Sequence, residues 1–313
     1  MEYKLTRQGY ADALIELAPK IEELVVLDAD VAKATKTCDF EEIYPERFFN
    51  CGTAEQNELS VAAGMAIEGL LPFATTFGMF ATKRAADQLR NSICYSNLNV
   101  KVGATHCGIT TGGDGASHQT NEDIAIARVM PNLTVLVPGD YEEARQATIA
   151  AAYHKGPIYL RFGRDEYPVV PELHGKFEIG KAKILRNEGD VLIISTGIMA
   201  SEALQAADAL AEKSITASVL HMPTVKPLDV DALATLARRA KAVVTIEEHS
   251  IIGGLGEAVA SFLGENFPRP MKRIGIRDVY GESGQAQELL DKYGLRARNV
   301  VEAAVLLMQT TEI

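Results

Sequence analysis

The chain has 313 residues, enough for roughly two ordinary domains, and 47% of them are hydrophobic, which excludes a disordered chain. Its 31 basic residues against 42 acidic ones leave a net charge of −11, which argues against a general nucleic-acid or anionic-membrane binder, since both need basic surface. Cys38, Cys51, Cys94 and Cys107 form no CxxC pair, the N-terminus lacks an apolar signal core, and no apolar run approaches the ~20 residues of a membrane helix, so the expectation is a soluble cytoplasmic protein with reduced thiols and no zinc site.

In chain order, strands alternate with helices. Thr6 is positioned to cap a helix whose apolar face is Tyr10, Ala13, Leu14 and Leu17. A short buried strand fits 24–27. Thr53 and Gln56 form a capping box, Thr-x-x-Gln, ahead of a helical face of Leu59, Ala62, Ala63, Ala66 and Ile67. Strands fit 71–75, 100–105, 133–137 and 158–162, and helices fit 80–96, 121–130 and 140–154. Such near-continuous apolar strands imply a parallel sheet covered on both faces. The run 163–180, with Pro168, Pro171 and Gly175, breaks the pattern and reads as a linker. A second α/β unit follows, with strands near 191–195, 216–221, 242–247 and 271–276, and Gly253-Gly254-Leu255-Gly256 opening one of its helices. The fold class is therefore α/β with two doubly wound domains. They share a pattern but no clear sequence repeat.

Ligands in open α/β sheets sit at the carboxyl ends of the strands. Asp28, Asp30, His106 and Arg161 fall there, and the loop 106–120 is rich in glycine, which lets backbone approach a ligand closely. Each polar residue also has a plain structural reading. Glu55 suits the first turn of a helix through the dipole alone. His118 can serve as a helix-entry residue, His106 as a satisfied loop histidine, and Asp114 as a turn residue. Phe77 and Phe80 are ordinary core candidates. Spacing alone decides none of these.

A set of motifs in fixed order goes further. Ala54-Glu55-Gln56-Asn57 is followed by Thr-Phe-x-x-Phe at 76–80. Next comes a strand into Thr-His-Cys-Gly, then Gly-x-Asp-Gly-x-x-His-Gln ending at Gln119. Downstream lie Pro-Leu-Asp at 227–229, Glu-Glu-His at 247–249 and Gly-Glu-Ser-Gly at 281–284. With these motifs the chain resembles the transketolase family, in the form of the second subunit of a split enzyme. The resemblance implies a pyrimidine-binding domain over 1–170, a linker over 171–185 and a C-terminal domain over 186–313.

It also implies roles. The cofactor is thiamine diphosphate, whose pyrimidine nitrogen Glu55 would hydrogen-bond, shifting the 4-amino group to the imine that deprotonates the thiazolium carbon. Phe77 and Phe80 would hold the pyrimidine ring. His118 would assist proton transfer and Asp114 would read the donor's hydroxyl stereochemistry. Arg7, His106 and Arg161 would contact the substrate, the arginines on its terminal phosphate. Three departures stand out. Ala34 takes the place of a phosphate-binding serine, with Thr35 beside it as a substitute. Lys83 stands where a third aromatic is usual, and Glu58 replaces an apolar residue.

The family holds magnesium with Gly-Asp-Gly and a downstream asparagine pair. Here 113–115 is Gly-Asp-Gly, but 138–143 reads Pro-Gly-Asp-Tyr-Glu-Glu. Asp114 is thus not expected to bind metal. No residue of this chain is assigned to Mg2+, which a partner would hold. That partner is an N-terminal transketolase subunit, in a heterotetramer of two copies each. The implied activity is transfer of a two-carbon ketol unit between sugar phosphates, as in pentose phosphate metabolism. The beta subunit of a 2-oxo acid decarboxylase, a deoxyxylulose-phosphate synthase-like subunit and a non-catalytic scaffold are the alternatives. Asp114 with His118 favours the sugar enzyme over the decarboxylase. The joint presence of the six site residues Glu55, Phe77, His106, Asp114, His118 and Arg161 argues against the scaffold.

Overall fold

The computed structural model describes residues 2–187 and 189–311. The first sheet has seven strands, in the order Thr224–Lys226, Thr134–Leu136, Ile158–Arg161, Lys101–Thr105, Leu71–Phe77, Leu24–Asp28 and Phe48–Asn50. All are parallel except Thr224–Lys226, which pairs antiparallel with Thr134–Leu136. Leu24–Asp28, Lys101–Thr105 and Ile158–Arg161 bury every residue, because alternate side chains enter cores on opposite faces. Leu24 and Val26 pack with Tyr10, Leu14, Ala144 and Ala147 on one face. Val25 and Leu27 pack with Leu59, Ala62 and Leu89 on the other.

The second sheet has the order Met271–Ile276, Ala242–Ser250, Val191–Ser195, Ala217–His221 and Lys183–Arg186, with only the last strand antiparallel. Leu192, Ile194, Leu220 and Val243 from this sheet join the same apolar cluster as Val25 and Leu27, so one core runs through both units. The strand Thr224–Lys226 reinforces that union, since it leaves the second unit to complete the first sheet. No helix among the described residues is long and apolar enough to cross a membrane.

Several local expectations change. The helix Glu55–Ile67 has Ala54 at its N-cap with no side-chain cap, so the Thr53–Gln56 capping box does not form. Thr6 is the first residue of the helix Thr6–Leu17 rather than its cap, and its hydroxyl accepts from the Gly163 amide at 3.1 Å. The helix expected over 80–96 is wound as two π-helical stretches, Phe80–Arg84 and Gln88–Tyr95. The run 163–180 holds structure of its own. Glu166–Pro168 pairs with Tyr3–Leu5, and Leu173 is fully buried. Expected linker residues from Lys183 onward already belong to the strand Lys183–Arg186. The helix Tyr141–Tyr153 starts where expected, with Asp140 accepting from the Glu143 amide at 2.8 Å.

Candidate active site

The carboxyl ends of the parallel strands in the first sheet point to one crevice. Strand Leu71–Phe77 delivers Phe77, and the π-helical turn after it delivers Phe80, with ring centroids 6.2 Å apart and the planes near parallel. Strand Lys101–Thr105 delivers His106, whose ring stacks on Phe77 at 3.9 Å. The glycine-rich loop brings back His118, edge-on to Phe80 at 5.4 Å and to Phe77 at 6.1 Å. Phe77, Phe80 and His118 are all half-buried, so the cluster keeps an open side.

His106 is tied on both nitrogens. Arg7 Nη1 lies 3.2 Å from Nε2, and Thr105 Oγ1 lies 2.9 Å from Nδ1. Burial first, and then the charges of Arg7 and Arg164, pull its pKa down to about 3, so the imidazole is neutral. An arginine can only donate, so Nε2 accepts and the ring proton sits on Nδ1. His106 also has a positive φ of 55°, a left-handed conformation that turns the chain sharply out of the strand.

Glu55 opens the helix Glu55–Ile67, which packs against strand Leu71–Phe77 and the π-helical turn. It is buried, and among the described residues no hydrogen bond engages its carboxylate. One turn on, Glu58 is wholly buried. Burial, and then the neighbouring Asp28 carboxylate, raise its pKa well above the usual carboxylate range.

Arg7 and Arg164 line a cavity of about 400 Å3 together with Thr110, Gly112, Gly113 and Gln285. Arg164 also donates to the Thr111 carbonyl at 2.8 Å and lies 3.6 Å from Asp114. The Asp114 carboxylate therefore faces a guanidinium, the reverse of a cation-binding arrangement. Among the described residues, no group of three or more His, Cys, Asp or Glu side chains is placed to hold a metal ion.

Arg161 is elsewhere in function. It is buried, and its guanidinium donates to Asp123 Oδ2 at 2.8 Å, to the Glu248 carbonyl at 3.0 Å and to the Thr120 carbonyl at 3.4 Å. Its place is in the frame behind the loop, and the cation that reaches the cavity is Arg164, three residues on. Thr35 is likewise committed. Its buried hydroxyl donates to Asp28 Oδ2 at 2.9 Å, so it is not free for the phosphate contact expected of it. Lys83 donates to Thr120 Oγ1 at 2.6 Å and pairs with Glu122 at 3.3 Å, bracing the end of the same loop. Sequence reasoning missed Arg164 because it counted 163–180 as linker. The available signal was its place just past a strand's carboxyl end, where ligands lie.

The second unit clamps the loop. Glu248 accepts from the Thr110 amide at 2.7 Å and from its hydroxyl at 2.6 Å. Gln119 Nε2 donates to the carbonyls of Ile109, Gly112 and Glu282. A Cβ at Gly281 would lie 1.8 Å from Gln119 Oε1, so a larger residue there would displace the Gln119 side chain. The Glu-Glu-His and Gly-Glu-Ser-Gly motifs thus shape the crevice from behind.

Comparison with known proteins assigns both halves of the chain. Residues 3–170 match the family model for the transketolase pyrimidine binding domain, and residues 180–300 match that for the transketolase C-terminal domain. A Methanocaldococcus jannaschii chain provisionally named a transketolase C-terminal section is 47% identical over 303 residues, covering 96% of this chain and 95% of its own length. The 6-deoxy-6-sulfo-D-fructose transketolase subunit SqwH of Clostridium sp. (strain MSTE9) is 42% identical, covering 97% of this chain and 94% of its own. A solved structure titled split gene transketolase, inactive beta4 tetramer, is 48% identical with a TM-score of 0.91, covering 97% of this chain and 98% of that one.

Proposed function

The chain belongs to the transketolase family, and from that membership we propose that it is the second subunit of a thiamine-diphosphate-dependent transketolase. Joined to an N-terminal subunit, it would move a two-carbon ketol unit from a ketose phosphate to an aldose phosphate. Two observations carry this reading: a buried carboxylate, Glu55, that no hydrogen bond engages among the described residues, and the half-open aromatic cluster of Phe77, Phe80 and His118. A planar heterocycle with one basic ring nitrogen suits that donor set, so the residues fit the cofactor's pyrimidine ring.

Thiamine diphosphate, when bound, supplies the nucleophilic carbon that carries the two-carbon unit. The chain's own residues do the rest. Glu55 holds a proton at the pyrimidine nitrogen, and Phe77 with Phe80 fixes the plane of the ring. His106, neutral and held by Arg7 and Thr105, presents a fixed hydrogen-bonding edge to the substrate's hydroxyls. His118 moves a proton at the reacting oxygen, and Asp114 reads hydroxyl stereochemistry. Arg7 and Arg164 take the terminal oxyanion. We move this second arginine from Arg161 to Arg164, because the Arg161 guanidinium is spent inside the protein. The terminal group is a phosphate. A sulfonate, as in the substrate named for the Clostridium relative, has the same tetrahedral anionic shape.

We assign Mg2+ and the diphosphate to the partner subunit, in an assembly of two copies of each chain. The pairing of Asp114 with Arg164 supports that assignment. We place the domain boundary after residue 170 and before the strand Lys183–Arg186; the unmatched stretch between the two family matches supports that placing. The test is co-expression with the N-terminal subunit and an assay of ketol transfer, with kcat/KM compared for a sugar phosphate, a sugar sulfonate and the free sugar. Equal values for all three would remove the oxyanion site from this reading. No transfer by the assembled complex would refute the activity itself.

A further inference from the structure

The cavity that Arg7 and Arg164 line takes a further wall from the second unit. Gly284, Gln285 and Ala286 border it, in the turn that leads into the helix Ala286–Lys292. A Cβ placed on Gly112 of the glycine-rich loop would lie 3.3 Å from the Gly284 carbonyl oxygen, 3.6 Å from Arg164 Nη1 and 3.9 Å from the Ala286 amide nitrogen. The main chain on both sides of Gln285 therefore converges with the Arg164 guanidinium on one point. Gln285 is exposed, and its carboxamide makes no hydrogen bond among the described residues.

The turn is held from both sides. Gln119 Nε2 donates to the Glu282 carbonyl at 2.8 Å, and Gly281 packs against the Gln119 side chain. Behind the turn, Ala286 is buried, and Leu289 and Leu290 enter the same apolar cluster as Ile109 and Tyr167. The other polar side chains of the turn are placed elsewhere. Glu282 pairs with Lys292, and Ser283 packs against Gly115. Gln285 is left as the turn's one polar side chain at the cavity. A primary amide supplies two N–H donors without adding charge. That suits this wall, because Asp165 and Glu166 also line the cavity and Asp114 lies 3.6 Å from Arg164. A third cation in the place of Gln285 would find a protein carboxylate, whereas a neutral amide stays free for an oxygen of the ligand.

We propose that Gln285 is a specificity-determining residue supplied by the second unit, whose carboxamide donates to the terminal oxyanion of the sugar beside Arg7 and Arg164. This rests on the oxyanion role of that cavity proposed above. No bond is made or broken at the terminal group, so the contact acts on KM rather than on kcat.

The experiment assembles wild type, Gln285→Ala, Gln285→Glu and Arg164→Ala with the N-terminal subunit, and measures kcat and KM for a sugar phosphate and its free sugar. Gln285→Ala is expected to raise KM for the sugar phosphate about tenfold, the size of one hydrogen bond to a charged group, at unchanged kcat and with little effect on the free sugar. Gln285→Glu should lose more, because it sets a like charge beside the oxyanion. An undiminished preference for the phosphate in Gln285→Ala would overturn the proposal. So would an equal loss on both sugars, which marks a structural role, or a Gln285→Glu that is no worse than Gln285→Ala. Arg164→Ala separates the two levels. If it too leaves the preference unchanged, the oxyanion cavity itself has failed. If it lowers the preference while Gln285→Ala does not, the role of Gln285 alone has failed. No transfer by the assembled wild type removes the activity, and this role with it.

Discussion

Arg161 and Arg164 lie three residues apart and do opposite work, one inside the frame and one at the cavity wall. Arg161→Ala strands the buried Asp123 and Glu248 carboxylates, and breaking a buried ion pair costs about 3–5 kcal/mol. Urea unfolding of the chain should register that loss. Arg164→Ala should leave stability within about 0.5 kcal/mol of wild type. It should instead raise KM for a sugar phosphate about tenfold or more, with little effect on the free sugar. A similar KM for the phosphate in wild type and Arg164→Ala would return the second arginine to an unidentified position. Glu55→Gln should lower turnover of the assembled enzyme on the order of a hundredfold or more while leaving assembly intact, since an amide cannot share a proton with a ring nitrogen. Near-normal turnover in that variant would give Glu55 back to its plain helix-dipole reading. The order of the motifs pointed to Phe77, Phe80 and His118 as one group, and the structure brings their rings together because they lie at or past the carboxyl ends of two neighbouring strands. Arg161 was misplaced because both arginines follow one apolar strand, and a strand's burial pattern cannot say which cation turns inward. Thr35 failed for a related reason: its hydroxyl looks free in sequence but meets Asp28 in space.

At the scale of elements, the glycine-rich loop after strand Lys101–Thr105 is shaped by contacts from far along the chain. Gly281→Ala would force a methyl group against Gln119, whose amide is already tied to three carbonyls. The expected cost is about 1–3 kcal/mol, with a raised KM because the loop carrying Asp114 and His118 shifts. A crystal structure of Gly281→Ala with an unmoved loop would contradict this. His249 acts at the same junction. Its Nδ1–H donates to the Ser250 carbonyl at 2.7 Å, and its Nε2 accepts from the Ala125 amide at 3.3 Å, a pattern open only to the neutral ring. Burial lowers its pKa from 6.5 to about 4. The folded value lies below the unfolded one, so the unfolded chain takes up the proton first as pH falls. Its stabilising contribution is intact above pH 6.5 and is lost as pH falls towards 4. Glutamine keeps one donor and one acceptor but does not titrate here. The stability advantage of wild type over His249→Gln should therefore shrink by about 3 kcal/mol across that window. Chemical denaturation at several pH values measures it, and a constant difference would mean that His249 does not titrate on unfolding. The element pattern itself was legible, because parallel buried strands leave long apolar runs. The stretch 163–180 was not, since its order comes from pairing with Tyr3–Leu5 and from the burial of Leu173, both invisible to local composition.

For the whole molecule, the chain on its own should catalyse no ketol transfer when given thiamine diphosphate, magnesium, a ketose donor and an aldose acceptor. Activity should appear on titration with the N-terminal subunit and saturate at one copy per copy. Turnover by the isolated chain would refute the division of the site between two polypeptides. In the complex, Asp114→Ala should impair turnover while magnesium-dependent cofactor binding persists, because Asp114 faces the Arg164 guanidinium rather than a metal site. A selective loss of magnesium affinity would reverse that assignment.

The strand Thr224–Lys226 bears on how such a chain can be dissected. It lies in sequence well inside the second unit, yet it closes the border of the first sheet beside Thr134–Leu136. A fragment ending near residue 180 would leave that border bare, with unpaired amides and carbonyls next to apolar surface. Such a fragment would meet its own copies before it met any partner. The seam between the two family domains is thus visible to alignment but closed to scissors, and shuffling by gene fusion or fission would have to carry the pair as one cassette.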